Sequence, residues 1–533
     1  MTLLKWTEND SENLLTIAEA SRWASSRYER PVSRSNITYL VTYGRVRSVI
    51  RNGSIMVDRD QLQRYYDEEM AAQREAYKQL EADINRRLAF TEYSEKERTK
   101  HVHRLHPYKG KFIPQLVEYF LDDHIDEYKS AVYFKPGDMV LDPFCGSGTT
   151  LVQAAELGIH AVGIDVSAFN TMISNTKVRR HDNLALVEHI REISRALMQY
   201  YENEGFREFD NELAAALSEF NATRFPSPTF KLRARQKDFN ANAYGAEQSG
   251  IFAETFQALV AKYGINLESA GSAFLDKWYL PSVRAELELL SAQIKRIADH
   301  AMRETLCVIL SRTIRSARAT THLDLATLKE PMRSTYYCRK HLKICKPLFT
   351  LTEWWARYAD DAVRRFVEFD KIRTDTYQIA LTGDSRSLPL DKLLALKQPA
   401  LVEIFRKQKI SGIFTSPPYV GMINYHEQHA YAYELLGIER RDDKEIGPLF
   451  KGKGKAARAS YVEGVSDVLR HCQKYLKKDC HVFLVANDKH NLYPDIAERA
   501  DMKIVSQFKR PVLRRSEVDK SPYSESIFHL RRK

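Results

Sequence analysis

A glycine-rich bend set between an apolar run and a helical one constrains this chain more than any other feature. Asp138-Met139-Val140-Leu141-Asp142 leads into Pro143-Phe144-Cys145-Gly146-Ser147-Gly148 and then into Thr149-Thr150-Leu151-Val152-Gln153-Ala154-Ala155. Strand, glycine turn and helix in that order open a Rossmann-like sheet, because glycine lets a ligand approach the backbone amides at the helix N-terminus. A second apolar run, Ala161-Val162-Gly163-Ile164, ends on Asp165. An acid about 20 residues beyond the bend is placed to accept hydrogen bonds from two ribose hydroxyls. No Gly-Lys-Ser/Thr follows the bend, which argues against a nucleoside-triphosphate loop.

The string Asp142-Pro143-Phe144-x-Gly146-Ser147-Gly148-Thr149-Thr150 resembles motif I of the amino-group DNA methyltransferases. Upstream, His106-Pro107-Tyr108-Lys109-Gly110-Lys111-Phe112-Ile113-Pro114 is similar to the motif X of that family. Downstream, Gly383-Asp384-Ser385 follows Gln378-Ile379-Ala380-Leu381 and resembles motif III. The resemblance implies S-adenosylmethionine as cofactor and no metal. It assigns cofactor contacts to His106, Tyr108, Lys111 and Phe112, to the named residues of the bend, and to Asp165, Asp384 and Ser385.

Ile413-Phe414-Thr415 leads into Ser416-Pro417-Pro418-Tyr419, which resembles motif IV of the same enzymes. An exocyclic base amine is a poor nucleophile because its lone pair is delocalised into the ring. Two acceptors on its N–H groups, here the Ser416 hydroxyl and the Pro417 carbonyl, aim that lone pair, while the prolines hold the carbonyl rigidly. Tyr419 offers a ring face to a base that has left the stack, as it must to reach the cofactor. In the family, serine at the first position usually accompanies cytosine N4 methylation, so N4-cytosine is favoured over adenine N6. A non-catalytic DNA-binding regulator on the same fold is the reading from another class, and the joint presence of motifs X, I and IV speaks against it. His426 and His429, three apart, are read as packing or capping residues and not as metal ligands.

The 533 residues carry 81 Lys and Arg against 70 Asp and Glu, a net charge of +11 whose meaning depends on where it clusters. From Arg27 to Arg51 there are six arginines and one acid, Glu29. The segment reads as helices capped at Thr16-x-x-Glu19 and at Ser33, then a hairpin turning at Asn52-Gly53, then a helix capped by Asp58 that ends at Tyr66. That order resembles a small winged helix-turn-helix, with a packing or dimerisation cap as the alternative. DNA contact is expected of Arg34, Arg45, Arg47 and Arg51, and of Arg312, Arg315 and Arg318, whose spacing suggests one helix face. Further basic stretches are Lys231 to Lys237, Arg333 with Arg339 and Lys340, Lys451 to Lys455, and Lys509, Arg510, Arg514 and Arg515.

The fold expected is therefore α/β, a Rossmann-like methyltransferase sheet with a large helical insertion and a small N-terminal winged helix-turn-helix. Its divisions are 1–66 (winged helix), 67–100 (helical connector), 101–180 (methyltransferase, motifs X, I and II), 181–375 (helical insertion and candidate target recognition) and 376–533 (motifs III and IV and the closing strands, the last two a terminal hairpin). The six cysteines include no Cys-x2-Cys pair, so they are expected as packed, reduced thiols without zinc. A polar, acidic N-terminus and the lack of a long apolar run predict a cytoplasmic protein on the nucleoid. The partners implied are double-stranded DNA and, for the modification half of a restriction or phage-defence system, a cognate endonuclease.

Overall fold

The computed structural model describes residues 13–78, 80, 84–108, 110–203, 206–236, 238–269, 271–324, 328–512 and 523–533. Lys109, Lys237, Arg514, Arg515 and the acidic N-terminal residues lie outside them. The chain forms two compact units, one of residues 80–198, 286–316 and 351–533, the other of 1–79, 199–285 and 317–350. The segment 181–375, expected as a single insertion, is thus divided between the units. Within the first, Arg179 reaches Glu304 at 2.6 Å and Arg312 reaches Asp361 at 2.6 Å.

The first unit is built on a seven-stranded sheet. Its strands are β1 (Met139–Asp142), β2 (His160–Asp165), β3 (Gln378–Thr382), β4 (Ile410–Thr415), β5 (Leu476–Ala486), β6 (Met502–Val512) and β7 (Tyr523–Arg532). The spatial order is β3-β2-β1-β4-β5-β7-β6. The pairs from β3 through β5 are parallel, whereas β7 is antiparallel to both neighbours. The last two strands pair antiparallel with each other as the expected terminal hairpin, which lies at the sheet edge with β7 between β5 and β6.

Residues of β1 and β4 are buried on both faces, as the central strands of a helix-covered parallel sheet must be. One face packs Ile413, Val482 and Leu484 against helix Lys455–Cys472 through Val465, Val468 and Leu469. On the other face Phe120 lies 4.9 Å from Phe483 and 5.7 Å from Phe414. Helices α1 (Thr149–Glu156) and α2 (Ala168–Val178) follow β1 and β2 directly.

The second unit begins with strand Leu14–Thr16, helices Ile17–Arg27 and Arg34–Thr42, strands Ser48–Arg51 and Ser54–Asp58, and helix Arg59–Lys78. Thr16 with Glu19 forms a capping box, and Ser33 caps the next helix. Asn52 and Gly53 both have positive φ, 49° and 73°, as a type I′ turn requires. Two features differ from expectation. Leu14–Thr16 adds a third strand by pairing with Ser54–Asp58, and the final helix runs on to Lys78 because nothing in 67–78 breaks it. The Lys231 ammonium and the Arg235 guanidinium donate to the carbonyls of Thr42 and Tyr43 at 2.5 and 2.9 Å. Cations at a helix C-terminus satisfy its orphan carbonyls, so this basic stretch serves packing within the unit.

Gly412 in β4 faces His481 in β5, and a β-carbon at Gly412 would lie 2.1 Å from the His481 carbonyl oxygen. Gly412→Ala is expected to cost about 1–3 kcal/mol by overpacking the central strands. Thermal unfolding of the variant checks this, and an unchanged midpoint would contradict the tight β4–β5 approach.

Candidate active site

Four parallel strands end on polar residues at one edge of the sheet: Asp142 closes β1, Asp165 β2, Thr382 β3 and Thr415 β4. Between β1 and β4 the strand order changes direction, the place where open α/β sheets leave a crevice. Across it the Thr415 hydroxyl donates to Asp142 Oδ1 at 2.5 Å, and the Phe144 amide donates to the same oxygen at 3.2 Å. Burial pushes the Asp142 carboxyl up to about 6 against these bonds.

The bend itself is tied from behind. Ser174 Oγ donates to the Gly146 carbonyl at 2.8 Å and Lys177 Nζ to the Ser147 carbonyl at 2.6 Å, both from α2. Lys177 is wholly buried, and that burial holds its ammonium well below the usual lysine range. Gly148 has φ 76°, and a β-carbon there would meet Ser174 Oγ at 2.8 Å, so only glycine fits. Asp165 accepts from the Gly146 amide (2.9 Å) through Oδ2, and from the Ser167 amide (2.9 Å) and Asn170 Nδ2 (3.0 Å) through Oδ1. Burial raises its carboxyl. At the β3 end Ser385 Oγ donates to the Pro143 carbonyl at 2.6 Å. Asp384 is clasped by Arg386 at 2.6 to 3.1 Å; burial opposes its charge, but the guanidinium holds the carboxyl below its ordinary value.

These segments surround a cleft of about 870 Å³. Tyr108, Lys111, Phe112, Asp142, Pro143, Phe144, Gly146, Ser147, Thr149, Asp165, Asp384, Ser385, Ser416 and Pro418 line it. His106, Gly148, Thr150 and Pro417 do not. His106 is fully buried, edge-on to Phe169 at 5.5 Å. Thr150 Oγ1 donates to the Phe414 carbonyl at 3.3 Å, binding α1 to β4. Lys111 lines the cleft, while its ammonium donates to the His103 carbonyl at 2.8 Å, and burial lowers it to about 8. Tyr419 faces a second cavity of about 560 Å³, with Met422, Lys453, Asp488, His490 and Tyr493 among its walls. The Tyr419 hydroxyl donates to Glu525 at 2.9 Å.

Several lining residues carry no motif. Ser167 and Asn170 join the cleft from the start of α2, and Tyr425, His426 and Glu445 from the segments on either side of helix Ala430–Leu436. His426 Nδ1 meets the Tyr433 hydroxyl at 2.6 Å, that hydroxyl meets Ser167 Oγ, and the His426 amide donates to Glu445 at 2.8 Å. His429 instead stacks on Tyr108 at 5.9 Å. The two histidines thus serve different partners.

The arginines expected to touch DNA are placed unequally. Arg34 and Arg51 are exposed, and Arg45 is half-buried. Arg47 is paired with Asp58 at 2.8 Å. The stripe Arg312, Arg315 and Arg318 does not exist as one face, because its helix His300–Ser316 stops before Arg318, which is itself buried. Arg312 is paired with Asp361, which also holds Arg364 and Arg365, and lies over the Tyr358 ring at 4.2 Å.

The sequence pattern of a family described as DNA methylase matches residues 8–175, and that of a family described as RMKL-like, methyltransferase domain, matches residues 131–224. The Type II methyltransferase M.MjaII of Methanocaldococcus jannaschii is 43% identical over 538 aligned residues, covering 100% of this chain and 99% of its own. The Type II methyltransferase M.MvaI of Kocuria varians is 34% identical over 95 residues, 18% of this chain and 19% of its own. A solved rRNA methyltransferase of Streptomyces viridochromogenes aligns over 83% of this chain and 94% of its own, at 10% identity and a TM-score of 0.27, a likeness too slight to bear on the fold.

Burial raises the Glu445 carboxyl from its ordinary value of 4.5 to about 7. A carboxyl raised by folding binds more protons in the native than in the unfolded state between those two values. Its contribution to stability is therefore present at low pH and falls as pH rises from about 4.5 to 7, by at most about 1.4 kcal/mol per unit. Glu445→Gln keeps an acceptor for the His426 amide and removes the titration. The variant is expected to unfold at higher denaturant than the parent at pH 8 and to lose part of the pH 5 to 7 slope, measured by denaturant titration.

Proposed function

Because the chain belongs to the amino-group DNA methyltransferase family, we propose that it methylates the exocyclic N4 amine of a cytosine flipped out of duplex DNA. The observation that carries this reading is the position of Ser416-Pro417-Pro418-Tyr419. It follows the end of β4, with Ser416 and Pro418 in the large cleft and Tyr419 in the neighbouring cavity. One tetrapeptide thus borders a space for the methyl donor and a space for a base.

The cofactor implied by the family is S-adenosylmethionine, which when bound supplies an electrophilic methyl carbon on a sulfonium. The cleft residues suit it. The carboxylates of Asp165 and Asp384 suit hydroxyl and amine donors, Phe144 and Phe112 give apolar cover, and the glycine bend admits close approach. The Ser416 hydroxyl and the Pro417 carbonyl accept hydrogen bonds donated by the two N–H groups of the target amine, and Tyr419 supports the base. With the cofactor bound, the amine held by Ser416 and Pro417 would be placed to take its methyl group, the thioether leaving and the surplus amine proton passing to water. DNA is held in this reading by the exposed Arg34 and Arg51 and the half-buried Arg45, as in a winged helix. The setting proposed is the modification half of a restriction system with a cognate endonuclease.

Incubation with duplex DNA and S-adenosylmethionine, followed by mass spectrometry of the digested nucleosides, is expected to yield N4-methylcytosine. N6-methyladenine would transfer the mechanism to adenine, and no methylated nucleoside would refute it. Ser416→Ala and Tyr419→Ala are each expected to lower methyl transfer about 100-fold or more while cofactor affinity changes little.

A further inference from the structure

Four side chains in the unit containing residues 317–350 converge without any part in methyl transfer. Strands Tyr336–Cys338 and Lys343–Cys345 pair as an antiparallel hairpin in which Tyr336 faces Cys345 and Cys338 faces Lys343. Cys338 closes the first strand, His341 sits in the turn, and Cys345 closes the second. The turn is fixed by the Leu342 amide, which donates to the Cys338 carbonyl at 2.7 Å. His322 arrives from a separate turn, held by the Asp324 amide on Thr321 O (3.1 Å) and Oγ1 (3.2 Å).

The ligand atoms of His322, Cys338, His341 and Cys345 all lie within 4.8 Å of one another. Cys338 Sγ is 3.5 Å from His322 Nδ1, and Cys345 Sγ is 3.5 Å from His341 Nδ1. A tetrahedral zinc ion with bonds of about 2.3 Å to sulfur and 2.0 Å to nitrogen sets its ligands roughly 3.3 to 3.8 Å apart. We propose that these four side chains bind one Zn²⁺ ion in a closed S2N2 site that fastens the hairpin to the turn carrying His322.

The physical need is plain. Strands of three residues do not make a hairpin that is stable alone. The buried apolar group here is Tyr336, Cys338 and Cys345, with Met332 against it, so two of its three buried members are thiols. Asn221 clamps the second strand, its Nδ2 donating to the Ile344 carbonyl at 3.0 Å and its Oδ1 accepting the Ile344 amide at 2.9 Å. The ion supplies the remaining fixation, displacing the two thiol protons and the contact of the Tyr336 hydroxyl with His322 Nδ1, 2.8 Å in this structure. Four protein ligands leave no open position, so the site is structural. The spacing Cys338-x2-His341-x3-Cys345 mixes residue types, which is why a search for Cys-x2-Cys pairs passes over it and leads to the expectation of no zinc. His101, His103 and Glu156 form another such group among the described residues, but there the Lys100 ammonium already lies 2.5 Å from Glu156.

Elemental analysis of the full chain, purified without chelators and reconstituted with ZnCl2, is expected to give about one zinc per chain. Replacement by Co²⁺ is expected to produce thiolate-to-cobalt charge-transfer absorption and tetrahedral d–d bands. Cys338→Ser and His341→Ala lose the metal, whereas Cys307→Ser keeps it. A parent protein that holds no zinc after reconstitution, with Cys338 and Cys345 titrating as free thiols or joined as a disulfide, would overturn the proposal. So would a Co²⁺ spectrum without thiolate bands.

Discussion

The hydrogen bond from Thr415 to Asp142 is the point on which the unit built on the seven-stranded sheet turns. It joins the last residues of two parallel strands that are neighbours in space but separated in sequence by everything that divides the glycine bend from the tetrapeptide. A buried carboxylate without partners is costly, and Asp142 is fully enclosed, so the threonine hydroxyl and the Phe144 amide are what allow it to stand there. In return the bond fixes where β4 ends, and therefore where Ser416 begins. The register Val140 to Gly412 and Leu141 to Ile413 carries the same constraint through the sheet.

Around that bond the site is arranged by burial and its compensation. Asp165 is satisfied by two backbone amides and an asparagine, Asp384 by an arginine two residues on, and Lys177 by the Ser147 carbonyl. The Gly146–Asp165 contact ties the bend after β1 to the end of β2, and the Ser385 hydroxyl on the Pro143 carbonyl ties it to the loop after β3. The cleft is consequently held by polar groups from β1, β2 and β3 and from α2, while its shape follows from glycine at 146 and 148, where larger residues would strike Tyr108 or Ser174.

Local signals were legible in the sequence wherever a few adjacent residues decide the outcome. The capping box at Thr16, the cap at Ser33, the turn at Asn52-Gly53 and the strands before Asp142, Asp165, Asp384 and Ser416 all depend on neighbours within a few positions. What depends on distant partners was not legible. Arg312 reads as a surface cation until Asp361 is placed beside it, and Lys231 as one charge of a basic stretch until the carbonyl end of helix Arg34–Thr42 meets it. Glu445 has no motif and enters the cleft only through the fold. His322 is too far along the chain from Cys338 for spacing to join them.

Through Asp142 and Thr415 the bend proposed to hold the cofactor is coupled to the tetrapeptide proposed to hold the base. Methyl-transfer kinetics of Asp142→Asn, Thr415→Val and the double variant, taken as a double-mutant cycle on kcat/KM, measure that coupling. Coupled residues give a double variant little worse than the poorer single one, with an interaction energy of about 1 kcal/mol or more. Losses that simply add would mean that the bend and the tetrapeptide act independently.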